Sequence, residues 1–298
     1  MSVIKINNLT KSYGKNRGVN KINLEVNEGE IFGFIGPNGA GKSTTIKVLL
    51  NLIYPTSGFA SILGMDVTKE SSKVKEYIGY VPSEVNFYDE VKVKDIIKYA
   101  ASFYSKISND DVQKICDELE LDMEKKMGQL SLGNKKKVAI AQALIGKPKV
   151  LILDEPANGL DPLMQKKLFE ILVREKKRGC SIFLSSHNLV EVESYCDRAA
   201  IIKEGQIVKV VDINKLENNR GVKVTLEGEE IDTINLKNIT STKRDKDKIS
   251  FVFKGDINEL VNILGKTKLK SLLIEEMSLE DDFLSYYQDE RIEEDEYI

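Results

Sequence analysis

The sequence predicts an α/β fold with a mainly parallel sheet, and three observations lead to this prediction. Short apolar runs of strand length recur along the chain, among them EIFGFIG, VLILDE and CSIFLSS. These runs are apolar without alternation, which is typical of parallel strands that are buried on both faces. Segments with apolar residues at helical spacing separate the runs. Strands that alternate with helices in this way usually form a parallel sheet covered by helices.

An antiparallel β subdomain is expected before the parallel sheet. Apolar residues recur at short spacing up to about residue 26, as they do in half-exposed strands. They are Val3, Ile4, Ile6, Ile22, Leu24 and Val26. Short antiparallel strands explain this pattern best.

Helices are expected where the apolar spacing changes to the helical period. The pattern predicts helices over Lys42–Leu52, Val93–Tyr104 and Val112–Leu119. Asn109 is a suitable N-cap for the third of these, because its side chain can accept a hydrogen bond from the first turn. A further helix is expected to have Pro162 at its first position, where the missing N–H costs nothing.

The C-terminal part of the chain predicts a separate small α+β domain. AAIIKEGQIVKVV should form a hairpin that turns at Glu204 and Gly205, and the polar segment ENNRG then marks a boundary. GVKVTLEG, KISFVFKG and LKSLLIEE are expected strands, Ile257–Leu264 a short helix and SLEDDFLSYY a last helix. The acidic tail DERIEEDEYI is expected to be solvated. The predicted domains therefore cover residues 1–216 and 217–298.

Composition excludes some classes of protein. The 298 residues carry 44 Lys and Arg against 47 Asp and Glu, so the net charge of −3 argues against a nucleic-acid partner. Cys116, Cys180 and Cys196 lack metal-ligand spacing and are expected to be reduced thiols. No apolar run approaches the roughly 18 residues that a spanning helix requires. Any role at a membrane would therefore depend on a partner.

The strongest motif is GPNGAGKST, which matches G-x-x-x-x-G-K-[ST] between an apolar strand and a helical segment. Such a loop turns backbone N–H groups toward phosphate oxygens, and the following helix adds its positive N-terminal end. In this motif the lysine contacts the β- and γ-phosphates, and the following serine holds Mg²⁺. The predicted nucleotide-binding residues are Gly36, Pro37, Asn38, Gly39, Ala40, Gly41, Lys42, Ser43 and Thr44.

VLILDEP places two carboxylates at the end of a buried strand, where α/β sheets carry their chemistry. Asp154 is expected to hold Mg²⁺ directly or through water, and Glu155 to polarise the attacking water. The alternative is an acidic N-cap pair without catalytic function.

The phosphate loop, LSLGN, VLILDEP, ANGLD and LSSH occur in this order, and from about Ser2 to Leu216 the chain resembles the nucleotide-binding domain of an ABC transporter. The resemblance implies a P-loop NTPase fold with an α-helical signature subdomain at about residues 85–145. It implies hydrolysis of ATP with Mg²⁺ in a head-to-tail homodimer, or in a heterodimer with a similar chain. It also implies separate transmembrane permease subunits, contacted through a groove near the loop after Val81. The chain would then lie in the cytoplasm, on the inner face of the membrane.

Three further site residues follow from the resemblance. Tyr13 matches the aromatic residue that stacks on adenine, although a tyrosine at a strand end is the simpler alternative. Asp161 of ANGLD matches a residue that joins the two sites of the dimer, and it can also be a helix N-cap. His187 is the single histidine of the chain and ends LSSH, where the family has a γ-phosphate sensor. Together with Lys42 and Glu155, it completes the predicted catalytic set.

Two positions depart from the family pattern. In YIGYVPSEVNFY the family usually has Gln after the proline, whereas this chain has Ser83 followed by Glu84. Ser83 is the shorter side chain, so a contact with Mg²⁺ would need a bridging water. Alternatively, Glu84 turns into the site.

The second departure lies in the signature segment, which reads LSLGN where the family commonly has Leu-Ser-Gly-Gly-Gln. The resemblance implies that Ser131 and Gly133 contact the γ-phosphate bound by the partner subunit, and both are present. Leu132 adds bulk at a position that is usually glycine, and Asn134 carries a shorter amide. Ser131 as an ordinary N-cap is the alternative. The lysines at 135–137 would add positive charge near the phosphates.

The sequence therefore suggests the ATPase subunit of a bacterial ABC exporter. The C-terminal domain resembles the extension of ATPase subunits in exporters of drugs, antimicrobial peptides or lipids, chiefly through SLEDDFLSYY. An appendage that only stabilises the fold or the dimer is the alternative for this domain, and a regulatory role is another. Importer ATPases, and soluble ABC-type switches that act on ribosomes or DNA, are the competing hypotheses for the whole chain.

Overall fold

A computed structural model describes residues 1–14, 16–105, 107–213, 215, 221–228, 238–245 and 248–276. The chain divides into two compact units, Met1–Ile213 and Asn214–Ile298. Among the helices of the described ranges, none has the length and apolar character that crossing a bilayer requires.

The larger unit begins with the predicted antiparallel β subdomain, which is confirmed. Its four strands lie in the order β2–β1–β4–β5, and neighbouring strands are antiparallel. Ile4 and Ile6 face inward and are at most 1 % exposed, which explains the apolar spacing of the sequence. The strands are β1 (Ser2–Tyr13), β2 (Asn16–Asn27), β4 (Ser57–Ile62) and β5 (Met65–Asp66).

The predicted mainly parallel sheet is also confirmed, with six strands in the order β10–β9–β3–β8–β7–β6. Only β10 is antiparallel to its neighbour, because the hairpin turns at Glu204 and Gly205, whose φ values of 47° and 77° are both positive. The strands β3, β7 and β8 are buried at every position. The six are β3 (Ile31–Ile35), β6 (Ile78–Val81), β7 (Val150–Asp154), β8 (Ser181–Ser186), β9 (Arg198–Lys203) and β10 (Gln206–Asp212).

The central strand β3 lies between β8 and β9 and is parallel to both. Phe32 on β3 stacks against Phe183 on β8, with ring centroids 6.1 Å apart and planes 4° from parallel. The backbone N–H of Ile31 donates to the carboxylate of Asp197, which is 166 positions further along the chain. Long-range contacts therefore hold the strand that leads into the phosphate loop.

Seven α-helices and one short 3-10 helix (Met127–Gln129) are described in this unit. The expected N-cap of the fourth helix is wrong, because Ser108 occupies that position and accepts from the Asp111 N–H at 3.1 Å. Ser108 has an extended backbone, whereas Asn109 is already the first helical residue. The helices are α1 (Lys42–Leu49), α2 (Ser71–Lys75), α3 (Val93–Ser102), α4 (Asn109–Glu118), α5 (Leu132–Ile145), α6 (Pro162–Lys177) and α7 (Leu189–Tyr195).

The described part of the smaller unit has a four-stranded antiparallel sheet in the order β12–β13–β11–β14, with a helix in its core. The sequence interpretation missed β12, because ITSTKRD is polar and lacks apolar alternation. The expected last helix and the acidic tail lie outside the described residues. The elements are β11 (Val222–Gly228), β12 (Ile239–Asp245), β13 (Lys248–Phe253), α8 (Ile257–Leu264) and β14 (Leu269–Glu276).

Candidate active site

The phosphate loop connects β3 to α1, as the motif predicts. A β-carbon on Gly36 would lie 2.4 Å from the carbonyl oxygen of Ile202, so only glycine fits there. Gly41 has a φ of 112°, a conformation that residues with a side chain rarely adopt. The loop can therefore pack on β9 and turn its N–H groups outward at the start of α1, where the helix dipole favours an anion.

Lys42 lies folded against its own loop. Its ammonium group donates to the carbonyl oxygens of Gly36 at 2.6 Å and Pro37 at 3.2 Å. The residue is 5 % exposed, and its third close partner is a carboxylate oxygen of Glu155 at 3.1 Å. The ammonium group therefore lies within the phosphate loop, where it could contact a bound phosphate.

Asp154 ends β7 and is 2 % exposed. The Ser185 hydroxyl on the adjacent strand β8 donates to its Oδ1 at 2.7 Å, which fixes the orientation of the carboxylate. Burial, with a smaller effect from the charge of Asp154, raises the pKa of Tyr80 to about 12. Tyr80 therefore stays neutral beside this carboxylate at physiological pH.

Glu155 contacts three polar side chains. Its carboxylate accepts from Asn158 at 3.0 Å, contacts His187 Nδ1 at 2.5 Å and pairs with Lys42. Its φ of 50° is unusual for a residue with a side chain and turns the chain sharply at the end of β7. The alternative role of an acidic helix cap finds no support, because Asp161 is the N-cap of the following helix α6.

A cleft of about 370 Å³ brings eight of the predicted site residues together. Among the predicted residues it contains the phosphate loop from Asn38 to Thr44 except Ala40, together with Ser83 and Glu155. His187 reaches the site through its contact with Glu155. The lining residues are Gly18, Asn38, Gly39, Gly41, Lys42, Ser43, Thr44, Ser83, Glu84, Glu155 and Asn158.

The donor set of this cleft suits Mg²⁺. Ser43 and Ser83, which both carry a hydroxyl, line it, and Asp154 lies at the end of β7. Within the described ranges, no group of three Asp, Glu, His or Cys side chains forms a protein-only metal site. Magnesium typically takes few protein ligands and completes its octahedron with water and substrate phosphates, so this sparse oxygen set fits it.

Tyr13 lies beside the cleft and is 45 % exposed. A β-carbon on Gly18, which lines the cleft, would be 3.2 Å from Cε2 of the tyrosine. The ammonium group of Lys11 lies 5.3 Å from the ring centroid. Tyr13 is therefore available for stacking, and its role in binding adenine stays a prediction.

Ser131, Gly133 and Asp161 are not among the residues that line this cleft. Ser131 is the N-cap of α5 and accepts from the Asn134 N–H at 3.3 Å. Leu132, the first residue of α5, is 59 % exposed. The N-terminus of the signature helix therefore faces solvent, as a segment that acts on a partner's nucleotide would require. The capping role and the predicted role in the partner's site are compatible.

Gly133→Ala is expected to destabilise the larger unit by about 1–3 kcal/mol, the usual cost of overpacking. The new methyl group would lie 2.5 Å from the carbonyl oxygen of Gly159, so either α5 or the loop before α6 must move. Thermal unfolding measures the change, with Leu132→Ala at the neighbouring exposed position as control. An unfolding midpoint equal to that of the control would show that the two segments separate freely.

The three lysines after the signature segment have different partners, and they do not form a single positive patch. Lys135 pairs with Asp89 at 3.5 Å and Lys137 with Glu120 at 4.0 Å. Lys136 is 1 % exposed and donates to backbone carbonyls. Burial lowers the pKa of Lys136, although the charges of Asp154 and Glu155 oppose this effect.

Three polar residues of the site were not predicted. Asn158 bonds to Glu155, Ser185 bonds to Asp154, and Glu191 accepts from the Ser186 hydroxyl at 3.0 Å. Burial raises the pKa of the Glu191 carboxyl, which lies on α7 just after His187. Asn158 and Ser185 lie inside the motifs ANGLD and LSSH, so a search of each motif for polar neighbours would have found them.

Comparison with known proteins gives consistent matches. The family described as ABC transporter matches residues 19–158. The bacitracin transport ATP-binding protein BcrA of Bacillus licheniformis is 38 % identical over 220 residues, covering 72 % of both chains. A structure of an ATP binding subunit of an ABC transporter is 29 % identical with a TM-score of 0.67, covering 73 % of this chain and 92 % of the other. A dimeric structure of the bacterial ABC transporter cassette MJ0796 is 25 % identical with a TM-score of 0.65. The match covers 70 % of this chain and 98 % of the other.

Proposed function

The chain belongs to the ABC transporter family as an ATP-binding subunit with ATPase activity, and we propose that it powers export through separate membrane-spanning permease subunits. The observation that carries the proposal is the convergence of Lys42, Ser43 and Glu155 on one cleft, with His187 in contact with Glu155. Export is supported by the relative named for bacitracin transport and by the resemblance of the C-terminal domain to exporter extensions.

The residues have distinct roles in the proposed reaction. The loop N–H groups and Lys42 bind the phosphates of ATP, and Lys42 exchanges its loop carbonyls for phosphate oxygens. Glu155 takes a proton from the attacking water as the γ-phosphate is released, and His187 and Asn158 hold its carboxylate in place. Ser43, Ser83 and Asp154 would hold Mg²⁺, which supplies positive charge to the phosphate oxygens when it is bound.

The active form is proposed to be a head-to-tail dimer, either of this chain or with a similar chain. Supporting this, the signature residues Ser131 and Gly133 do not line the chain's own cleft, and a structural relative is a dimer. Each cleft would then be completed by Ser131 and Gly133 of the other subunit. Asp161, at the N-terminus of α6, would join the two sites.

The permease is proposed to dock in an apolar groove of about 290 Å³ beyond the end of β6. The aromatic side chains of Tyr88 and Tyr99 line this groove and are 86 % and 67 % exposed. The groove begins a few residues after Ser83, so nucleotide in the cleft and permease in the groove would act on one short loop. This arrangement supports a mechanical link between hydrolysis and the membrane subunits. In this arrangement the chain would lie on the inner face of the membrane.

Co-purification from native membranes, followed by reconstitution of the complex in liposomes, tests the proposal. ATP is added outside, where the ATPase subunits are exposed, and movement of candidate substrates is measured. We expect a membrane protein to co-purify, to raise ATPase activity, and to drive ATP-dependent accumulation inside the liposomes, which corresponds to export. Release of substrate loaded inside would indicate an importer instead. Recovery of no membrane protein in mild detergent would favour a soluble switch.

A further inference from the structure

We propose that Lys136 is a positioning residue for ATP hydrolysis, which holds the Pro82–Ser83 backbone at the edge of the nucleotide cleft and ties it to α5. This inference rests on the proposed function, because it concerns the geometry of the same cleft. Lys136 is a fully buried cation at 1 % exposure, and a lysine is rarely buried without a specific partner.

The partners of Lys136 are two consecutive carbonyl groups. Its ammonium group donates to the carbonyl oxygens of Pro82 at 2.8 Å and Ser83 at 2.7 Å. Hydrogen bonds from a charged donor are about twice as strong as neutral ones. The two acceptors lie directly after β6, so this one side chain fixes where the loop leaves the sheet.

The loop held by Lys136 borders the nucleotide. Ser83 and the following Glu84 both line the cleft, together with residues of the phosphate loop and Glu155. A shift of this backbone would move the Ser83 hydroxyl away from the place where it would assist Mg²⁺. Holding Pro82 and Ser83 therefore affects the metal side of the site more than the binding of the phosphates by Lys42.

The same helix also contacts the other loop that borders the cleft. A β-carbon on Gly133, one turn before Lys136, would meet the carbonyl oxygen of Gly159 at 2.5 Å. Gly159 follows Asn158, which lines the cleft and bonds to Glu155. Helix α5 therefore links the loop of Ser83 and the loop of Glu155, so a movement of its N-terminus would displace both.

Lys136→Met tests the role, because methionine is of similar length and removes both hydrogen bonds. The measurement is ATP affinity with and without Mg²⁺ in a Glu155→Gln background, where no hydrolysis interferes. We expect Mg²⁺ to tighten ATP binding about 10-fold less in the Met variant, by analogy with residues that orient metal ligands. ATP affinity without Mg²⁺ should change little, since Lys42 and the phosphate loop are intact.

Two further variants make the result specific. Lys136→Gln retains an N–H donor without the charge. In this variant Mg²⁺ should tighten ATP binding more than in Lys136→Met but less than in the parent. Lys135→Met removes a neighbouring lysine whose partner is the exposed Asp89. Its ATP affinity with and without Mg²⁺ should equal that of the parent. In the background with native Glu155, Lys136→Met should lower kcat by about 10–100-fold.

The proposal would be overturned if Mg²⁺ tightened ATP binding as much in Lys136→Met as in the parent. It would also be overturned if Lys135→Met reduced this tightening as much as Lys136→Met does. If the Met variant fails to fold by circular dichroism, the Gln variant decides the question. A smaller tightening of ATP binding by Mg²⁺ than in the parent, with ATP affinity without Mg²⁺ unchanged, supports the proposal. Tightening equal to that of the parent, or an equal loss of ATP affinity with and without Mg²⁺, contradicts it. Failure of the proposed function is recognised separately. In that case the complex reconstituted in liposomes would show no ATP-dependent accumulation of substrate, whereas the effect of Lys136→Met on Mg²⁺-dependent ATP binding would remain.

Discussion

Glu155→Gln is expected to lower ATP hydrolysis by about 10²–10⁴-fold, the usual contribution of a general base, while ATP stays bound. The amide cannot take the proton of the attacking water. The substitution also removes a negative charge that pairs with Lys42 at 3.1 Å and would face the γ-phosphate. ATP should therefore bind more tightly, and we expect an ATP-bound dimer to accumulate.

Size-exclusion chromatography with ATP and a phosphate-release assay measure both effects. Glu84→Gln is the informative comparison, because Glu84 is the other carboxylate that lines the cleft. If Glu155→Gln stays monomeric with ATP and hydrolyses it at the native rate, the assignment of Glu155 as the base is wrong. Loss of hydrolysis in the Glu84 variant alone would transfer that role to Glu84.

Lys42→Met is expected to weaken ATP binding by about 10–100-fold, which corresponds to the roughly 1.5–3 kcal/mol of a hydrogen bond to a charged group. It should also destabilise the nucleotide-free protein. The side chains of Lys42 and Glu155 are 6 % and 10 % exposed, so removal of the cation leaves a nearly buried anion uncompensated. Loss of one partner of a buried pair costs about 3–5 kcal/mol, and Asn158 and His187 should keep this case at the low end.

A double-mutant cycle separates the two effects. Adding Glu155→Gln to Lys42→Met removes the uncompensated anion, so the double variant should regain part of the lost stability without regaining ATP affinity. Urea denaturation without nucleotide and equilibrium binding of ATP provide the two readouts. Additive losses of stability would show that Lys42 and Glu155 do not interact in the nucleotide-free protein.

The sequence was sufficient for the elements that have a clear pattern. The buried strands β3, β7 and β8 have uninterrupted apolar runs, and α8 and β14 have the predicted bounds. It was insufficient for β12, whose side chains are polar, and for the cap of α4, where Ser108 and Asn109 are both good caps. Only the backbone angles decide between two such neighbours.

At the site, motifs predicted which residues belong together but not how their polar groups pair. The contact of Glu155 with Lys42, Asn158 and His187 depends on the turn after β7, which no spacing encodes. The burial of Lys136 was missed for a similar reason, since NKKK suggests a solvated run. The roles of Tyr13 and Ser83 stay predictions, although both lie at or beside the cleft.

The position of β3 between β8 and β9 has a consequence for biosynthesis. The phosphate loop packs on Ile202, and the Ala40 carbonyl accepts from the Gly205 N–H at 2.9 Å, yet both partners are translated long after the loop itself. Contacts of such high sequence separation slow folding, because a long chain segment must be closed before they form. Until β9 has left the ribosome, the nascent chain carries an incomplete ATP site and unpaired, apolar strand edges. Exposed edges of this kind make the nascent chain prone to aggregation at this stage.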